Sequence, residues 1–435
     1  MIRISGKIHK QNPPLRARAH AQSDIRMGTN RAAARAANSR AGYAPRARGG
    51  KHFARVAAAV LAAVLAALPL SGCLQYRELK AESIVVGMGI DADSSGGYLV
   101  TFQIYKPQQN GGGGDSSKGG SSSQVTILQS NGSSIFDAVR NATLQVGRFP
   151  YFSNNRAYVL GAEVCRANLA QVMDFMQRNE QINPSEHIFM ATGKASDILT
   201  YEKNGEIVPA TNLDMMVENH DATSFSPAVR LVDVYRVMAT GVTDVLLPLL
   251  AVKTNNDKSI VMLDGSAAFR GGNLAGTLNP DETRGVLWVT GKVKGGVLNL
   301  PLQNGGIATM EIYKAGSKTE TGEQNGVPVV RVNISLNTGL ASLRSVQSIT
   351  IGPALKSYLI ARQNALVREE AEAAVGHALK GYGADVFGFG MKMFENEPEL
   401  WRKISTGWAG SSKTARVEIT VHSDISHFGS TTQLN

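Results

Sequence analysis

The chain has 435 residues, 43% hydrophobic and 18% charged, so it carries enough apolar side chains to build cores and is not disordered throughout. The formal net charge of +10 is misleading, because residues 1–72 hold thirteen Lys and Arg against one acid, Asp24, leaving 32 basic and 34 acidic residues beyond them. A near-neutral remainder excludes nucleic-acid binding through a basic surface, and two cysteines exclude a disulfide framework.

Residues 1–55 are rich in Arg, Ala, Gly and Ser and poor in large apolar side chains, which predicts a disordered basic leader. So long a tail ahead of an export signal makes Met27 an alternative start. From Val56 the run VAAAVLAAVLAALPLSGC supplies an apolar core of about 15 residues, the length of a signal-peptide h-region and short of the roughly 20 that a spanning helix needs. Pro69 stops that helix, and Ser71 and Gly72 are small enough for a peptidase cleft. Leu70-Ser71-Gly72-Cys73 resembles the bacterial lipobox, in which the chain is cut before the cysteine and diacylglycerol is joined to its sulfur. Two or three acyl chains anchor a protein stably, whereas one is reversible. The competing reading is an uncleaved N-terminal membrane helix, since no charged residue lies between Arg55 and Arg77. Pro69, Gly72 and Gln75 argue against a continuous span.

Beyond Cys73 the pattern predicts a hairpin of strands Ser83–Asp91 and Tyr98–Tyr105, with Asp91 and Asp93 as solvated turn acids rather than a calcium site. Asn110–Ser123 reads as a flexible Gly/Ser loop, followed by strand Val125–Leu128. Ser133 or Ser134 caps a helix whose apolar positions are Ile135, Phe136, Val139, Ala142 and Val146. Strand Ala157–Leu160, helix Leu169–Arg178, strand His187–Met190 and helix Ala195–Thr200 follow, with Cys165 as a small buried hydrophobe at a strand-to-helix junction. From about Thr211 come helix Val229–Ala239 and short strands near Val242–Leu250, Ser259–Leu263, Gly265–Arg270 and Gly285–Val289. Strands Thr309–Tyr313 and Val329–Leu336 then lead to the long helix Pro353–Leu379. Its buried stripe includes Leu355, Leu359, Leu366 and Val375, and its solvated side includes Arg368, Glu369, Glu370 and Glu372. Helix Glu395–Ile404 and strand Arg416–Ser423 close the chain. The expected fold is α+β, in three mixed α/β domains: 73–210, a small middle domain 211–294, and 295–435 around the long helix.

No HExxH, GxSxG or CxxC motif occurs, and the eight histidines are scattered. No cofactor or metal is expected. Gly407–Thr414 lies one residue away from GxxxxGK[ST], but a helix precedes it and a strand follows, the reverse of a phosphate loop, so Lys413 is placed in an exposed connection. Phe387-Gly388-Phe389-Gly390 reads as a tight turn with phenylalanines capping the core, or as a partner contact. Glu282-Thr283-Arg284-Gly285 reads as a charged turn entering a strand with Trp288 buried, with a subunit contact through Arg284 as the functional alternative.

Several segments, in order, resemble the Ger(x)C family, the lipoprotein C-subunits of spore germinant receptors. They are Arg77-Glu78-Leu79 with the Val-Val-Gly-Met-Gly-Ile-Asp strand; Gln103-Ile104-Tyr105-Lys106-Pro107; Asp137-Ala138-Val139-Arg140-Asn141; and DFMQRNEQINPSEHIFMATGKASDIL from Asp174. GSAAFRGGNLAGTL from Gly265, ETRGVLWVTGKVKGG from Glu282, and ADVFGFG from Ala384 with Trp401 after it complete the set. The family's tryptophan soon after the lipid cysteine is absent here, with Tyr76 in its place as the aromatic. The resemblance implies three mixed α/β domains held by lipid on the outer face of the inner spore membrane. Their partners would be an A-subunit and an integral-membrane B-subunit, in a non-enzymatic role of assembling or stabilising the receptor. The alternative is an extracytoplasmic nutrient-binding lipoprotein.

Overall fold

The computed structural model describes residues 50–67, 82–106 and 124–434, apart from residues 168, 204–205, 256–257, 304, 345–348 and 429–432. The lipobox residues Leu70, Ser71, Gly72 and Cys73, residues 1–49 of the expected disordered leader and the whole Gly/Ser loop lie outside the described residues, while residues 50–55 of that leader are helical rather than disordered. The chain divides into Met1–Tyr76 and Arg77–Asn435. The described part of the first unit is one helix, α1 (Gly50–Ala67).

The second unit is α+β. Its larger sheet is built from β1 (Glu82–Ala92), β2 (Tyr98–Tyr105), β3 (Val125–Gly132), β4 (Phe149–Tyr151), β5 (Ala157–Leu160) and β6 (His187–Ala191). Further along come the small hairpin β7 (Glu202–Lys203) and β8 (Glu206–Ile207), then β9 (Leu246–Asn255), β10 (Lys258–Arg270) and β11 (Asn273–Leu278). The order across the large sheet is β11-β10-β9-β6-β5-β1-β2-β3, with β4 pairing the start of β1. Strands β1, β5, β6 and β9 are parallel, and an antiparallel pair of strands extends each side.

Helices cover both faces, as buried parallel strands require. On one face α2 (Ile135–Val146), α3 (Ala162–Ala167), α4 (Leu169–Arg178) and α7 (Leu231–Thr240) pack on Met88, Ile90, Tyr158 and Leu160. On the other, α5 (Ala195–Leu199) and α6 (Ala210–Glu218) pack on Ala157, Val159 and Phe189. The two-residue alternation of Tyr158 and Leu160 against Ala157 and Val159 assigns the faces. Cys165 is buried in the first of these cores, as expected.

The second sheet runs β12 (Val297–Pro301), β13 (Ile307–Gln324), β14 (Val327–Arg344) and β16 (Arg416–His427), with β14 and β16 parallel. A two-strand ladder joins β15 (Ile349–Thr350) to β17 (Gln433–Leu434). Helices α8 (Pro280–Val289) and α9 (Pro353–Ala374) contribute to the core of this sheet, and α9 continues as a π-helix over Val375–Tyr382. The short helices α10 (Phe389–Asn396), α11 (Pro398–Ile404) and α12 (Trp408–Thr414) lead into β16.

Several local expectations are corrected. Residues 282–289 form helix α8 rather than a turn and strand, because Asn279 and Glu282 cap each other reciprocally at 2.9 Å and Pro280 occupies the first turn. Strands β13 and β14 are longer than the predicted segments, and the turn between them places Asn325 and Gly326 at φ 52° and 79°, the Asn-Gly hairpin signature. Lys413 is exposed, as expected, but sits in helix α12 rather than in a connection, and donates to the Gly381 carbonyl. The expected helix Glu395–Ile404 is two helices broken at Glu397-Pro398. Strands β9 and β10, expected in a middle unit of their own, extend the first sheet through the parallel pairing of β9 with β6, together with β11, which falls outside the expected strands.

Candidate functional site

Cys73 of the expected anchor lies outside the described residues. Among those residues no helix is long and apolar enough to cross a membrane.

Arg284 and Glu370 join α8 to α9 in a buried pair. Each side chain is 5% exposed, and the guanidinium grips the carboxylate with two donors, Nε at 2.8 Å and Nη2 closer. Trp288, one helical turn beyond Arg284, donates its indole N–H to the same carboxylate at 2.8 Å. Phe225 stacks over the guanidinium, 4.4 Å from Cζ to the ring centroid, and the Val297 carbonyl takes a further N–H. Gly285 makes this approach feasible, because a Cβ there would run into the backbone of Glu370. A cleft of about 490 Å³ lies beside the pair, lined in part by Phe225, Asp281 and Glu369. The expectation of Glu370 on the solvated side of the long helix is thus overturned: it faces α8 and is the acid that neutralises Arg284. With its charge satisfied inside the chain, the cluster latches two helices and offers no free ion to a ligand.

Phe387 and Phe389 stack on each other, centroids 5.1 Å apart, and are 9% and 1% exposed. Between the preceding loop and α10 sits Asp385, fully buried. Its carboxylate accepts the backbone N–H groups of Phe389 at 3.0 Å and Gly390 at 2.6 Å, and the Trp408 indole N–H at 3.1 Å. Burial pushes this carboxyl up to about 6 in spite of the three donors, and the neighbouring Asp244 adds to the rise. Asp244 in turn accepts the N–H groups of Asp385 and Gly271, tying the loop to the β10–β11 turn of the first sheet.

The GMGID strand and the glutamine of the following strand have the same kind of role. Asp91 is 3% exposed rather than a solvated turn acid; its oxygens accept the Ala195 and Ser196 N–H groups at 2.7 and 2.8 Å, capping α5 from across the sheet. Gln103 accepts from Ala210 N–H at 2.6 Å and donates to the Leu199 and Val208 carbonyls, closing the end of α5 and the start of α6 with one side chain. A Cβ at Gly87 would lie 2.5 Å from that of Ala210, so glycine lets α6 approach the strand.

Phe387 and Phe389 therefore belong to the second core, and Arg284 is buried beside it at the wall of the cleft. Sequence reasoning named Glu370 on the wrong side of its helix, gave Gln103 and Asp385 no structural role and passed over Phe225, although Asn279-Pro280-Asp281-Glu282 carried a capping-box signal for α8. Among the described residues no group of three or more His, Cys, Asp or Glu could hold a metal ion. The Cys165 thiol is pushed by burial to about 12, which makes it inert.

Two family models match the chain: "Spore germination protein N-terminal domain" over residues 75–252 and "Spore germination B3/ GerAC like, C-terminal" over 264–429. Three relatives, all from Bacillus subtilis, are similar over most of their length. Spore germination protein KC is 22% identical over 79% of this chain and 89% of its own. Spore germination protein YndF is 26% identical over 69% and 74%, and spore germination protein A3 is 24% identical over 85% and 97%. The crystal structure of the GerBC protein aligns at a TM-score of 0.49 and 19% identity, covering 78% of this chain and 97% of that one.

Proposed function

Because the chain belongs to the spore germination family whose N-terminal and GerAC-like C-terminal models span most of it, we propose that it is a lipid-anchored, non-enzymatic subunit of a spore germinant receptor. It would work beside A- and B-type subunits, as the resemblance to the Ger(x)C family implies. The observation that carries this reading is the place where the first match begins: residue 75, two residues beyond Cys73 of the lipobox-like Leu70-Ser71-Gly72-Cys73. In this reading the leader is cut away and acyl groups on Cys73 hold the remaining chain against the extracytoplasmic face of the inner spore membrane. Confinement to that thin layer raises the effective concentration for weak contacts with membrane-embedded subunits. Arg284, Phe387 and Phe389 serve such contacts by shaping the surfaces above them, since their own side chains are buried.

Replacing the cysteine tests the proposal. A Cys73→Ala chain is expected to leave the spore membrane fraction and to lower nutrient-triggered germination, while its far-UV spectrum and unfolding midpoint stay unchanged. Normal germination with unchanged membrane fractionation would overturn it.

A further inference from the structure

Helix α2 is apolar on two sides. Ile135, Ala138, Val139 and Ala142 are buried against the first sheet, but Phe136 is 53% exposed and Leu144 is 84% exposed. Phe136, Arg140 and Leu144 recur every four residues, so they form a single outer stripe. Arg140 lies 5.0 Å from the Phe136 ring centroid and 5.9 Å from that of Phe149, which joins the stripe to strand β4. The only acid of the helix, Asp137, is engaged with Ser133 and Ser134 at the helix start. The stripe is thus apolar and cationic, with Arg148 exposed at its lower end.

Its position identifies what it meets. Phe149 pairs with Glu82, the first residue of β1, and Tyr105, 43% exposed, flanks the start of β1 from the other side. Glu82 lies nine residues along the chain from Cys73, and a chain of that length reaches about 30 Å at most. An acyl group at Cys73 therefore keeps this end of the sheet, where α2 ends and Phe149 follows, within reach of the bilayer; the start of α2 lies toward the β1–β2 turn, where Gly132 pairs with Tyr98. A helix face of Phe and Leu interleaved with Arg matches the boundary between acyl chains and anionic headgroups.

We propose that the outer face of α2, with Phe149 beside it, docks on the anionic phospholipid surface and sets the orientation of the anchored protein; the argument from position rests on the proposed lipid at Cys73. The test uses a spin label on Leu144→Cys, with a second label on Ser94→Cys in the β1–β2 turn, and Cys165 inert in the core. Both the matured protein, with the mass at Cys73 measured, and the full chain carrying Cys73→Ser are mixed with phosphatidylcholine vesicles with and without phosphatidylglycerol. On the anionic vesicles the label at 144 should gain accessibility to oxygen and lose it to a water-soluble nickel complex, with a smaller change at 94, which lies beyond the start of α2. In the matured protein, Phe136→Ser together with Arg140→Gln should return the label at 144 to water on the anionic vesicles.

Three results would overturn the proposal. The label at 144 could stay in water on vesicles; it could be shielded before they are added, with the stripe covered by residues 107–123 or a second copy; or it could be shielded only when membrane subunits are supplied, which makes the occupant a protein. An unmodified Cys73 with the label still shielded on anionic vesicles would sink the anchor and leave the docking surface standing.

Discussion

Removing one partner of the Arg284–Glu370 pair should cost far more than removing both. In Arg284→Met the carboxylate of Glu370 stays buried with the Trp288 indole N–H as its remaining donor among the groups described for it here. With both side chains 5% exposed, solvent screens the loss little, and the expected cost is about 3–5 kcal/mol. Domain stabilities run to only about 5–15 kcal/mol, so the core around α8 and α9 would become marginal. The double replacement Arg284→Met with Glu370→Leu removes both charges and leaves one orphaned donor, the Trp288 N–H, at about 1–3 kcal/mol. The assay is guanidinium unfolding followed by tryptophan emission, with the two single variants and the double in one cycle. The double variant should be more stable than either single. A cost below about 1 kcal/mol for Arg284→Met, the range of surface pairs, would refute the buried latch.

Gln103→Leu should destabilise by about 3 kcal/mol or more, since it strands one N–H and two carbonyls in the first sheet's helix layer, and amide exchange should localise the loosening to α5 and α6. Gly87→Ala should cost about 1–3 kcal/mol through collision with Ala210, and adding Ala210→Gly should recover part of the loss in thermal midpoint; no recovery would mean the close approach is not the cause. Asp385 makes stability depend on acid. The folded carboxyl keeps its proton up to about pH 6 and the unfolded one only to about 3.8, so the folded state holds more protons between these values. This contribution is complete below pH 3.8 and is lost as pH rises through 6, a change of about 3 kcal/mol. Asp385→Asn should flatten that part of the pH profile; an unchanged profile contradicts the assignment.

The amphipathic spacing of α2 and α4, the alternation of Thr101 and Gln103 with Val100, Phe102 and Ile104 in β2, and the apolar run before Cys73 are local patterns, legible without tertiary structure because each depends on near neighbours in the chain. The same patterns failed where a segment is buried on every side. Gly285-Val286-Leu287-Trp288-Val289 has no polar face to set its period, so helix and strand look alike, and only the cap at Asn279 distinguishes them. The direction that Glu370 faces was equally unreadable, because one turn of α9 meets an arginine 86 residues away in the chain.

The sequence by itself determined the apolar run before Cys73, the near-neutral character of the chain beyond it and most of the elements, since these follow from composition and periodicity. Tertiary structure alone decided that β9 joins β6, that Arg284 is neutralised inside the core, and that Phe136 turns outward on a helix already apolar within. Each of these depends on which distant surface comes to cover a side chain, and no local pattern carries that information.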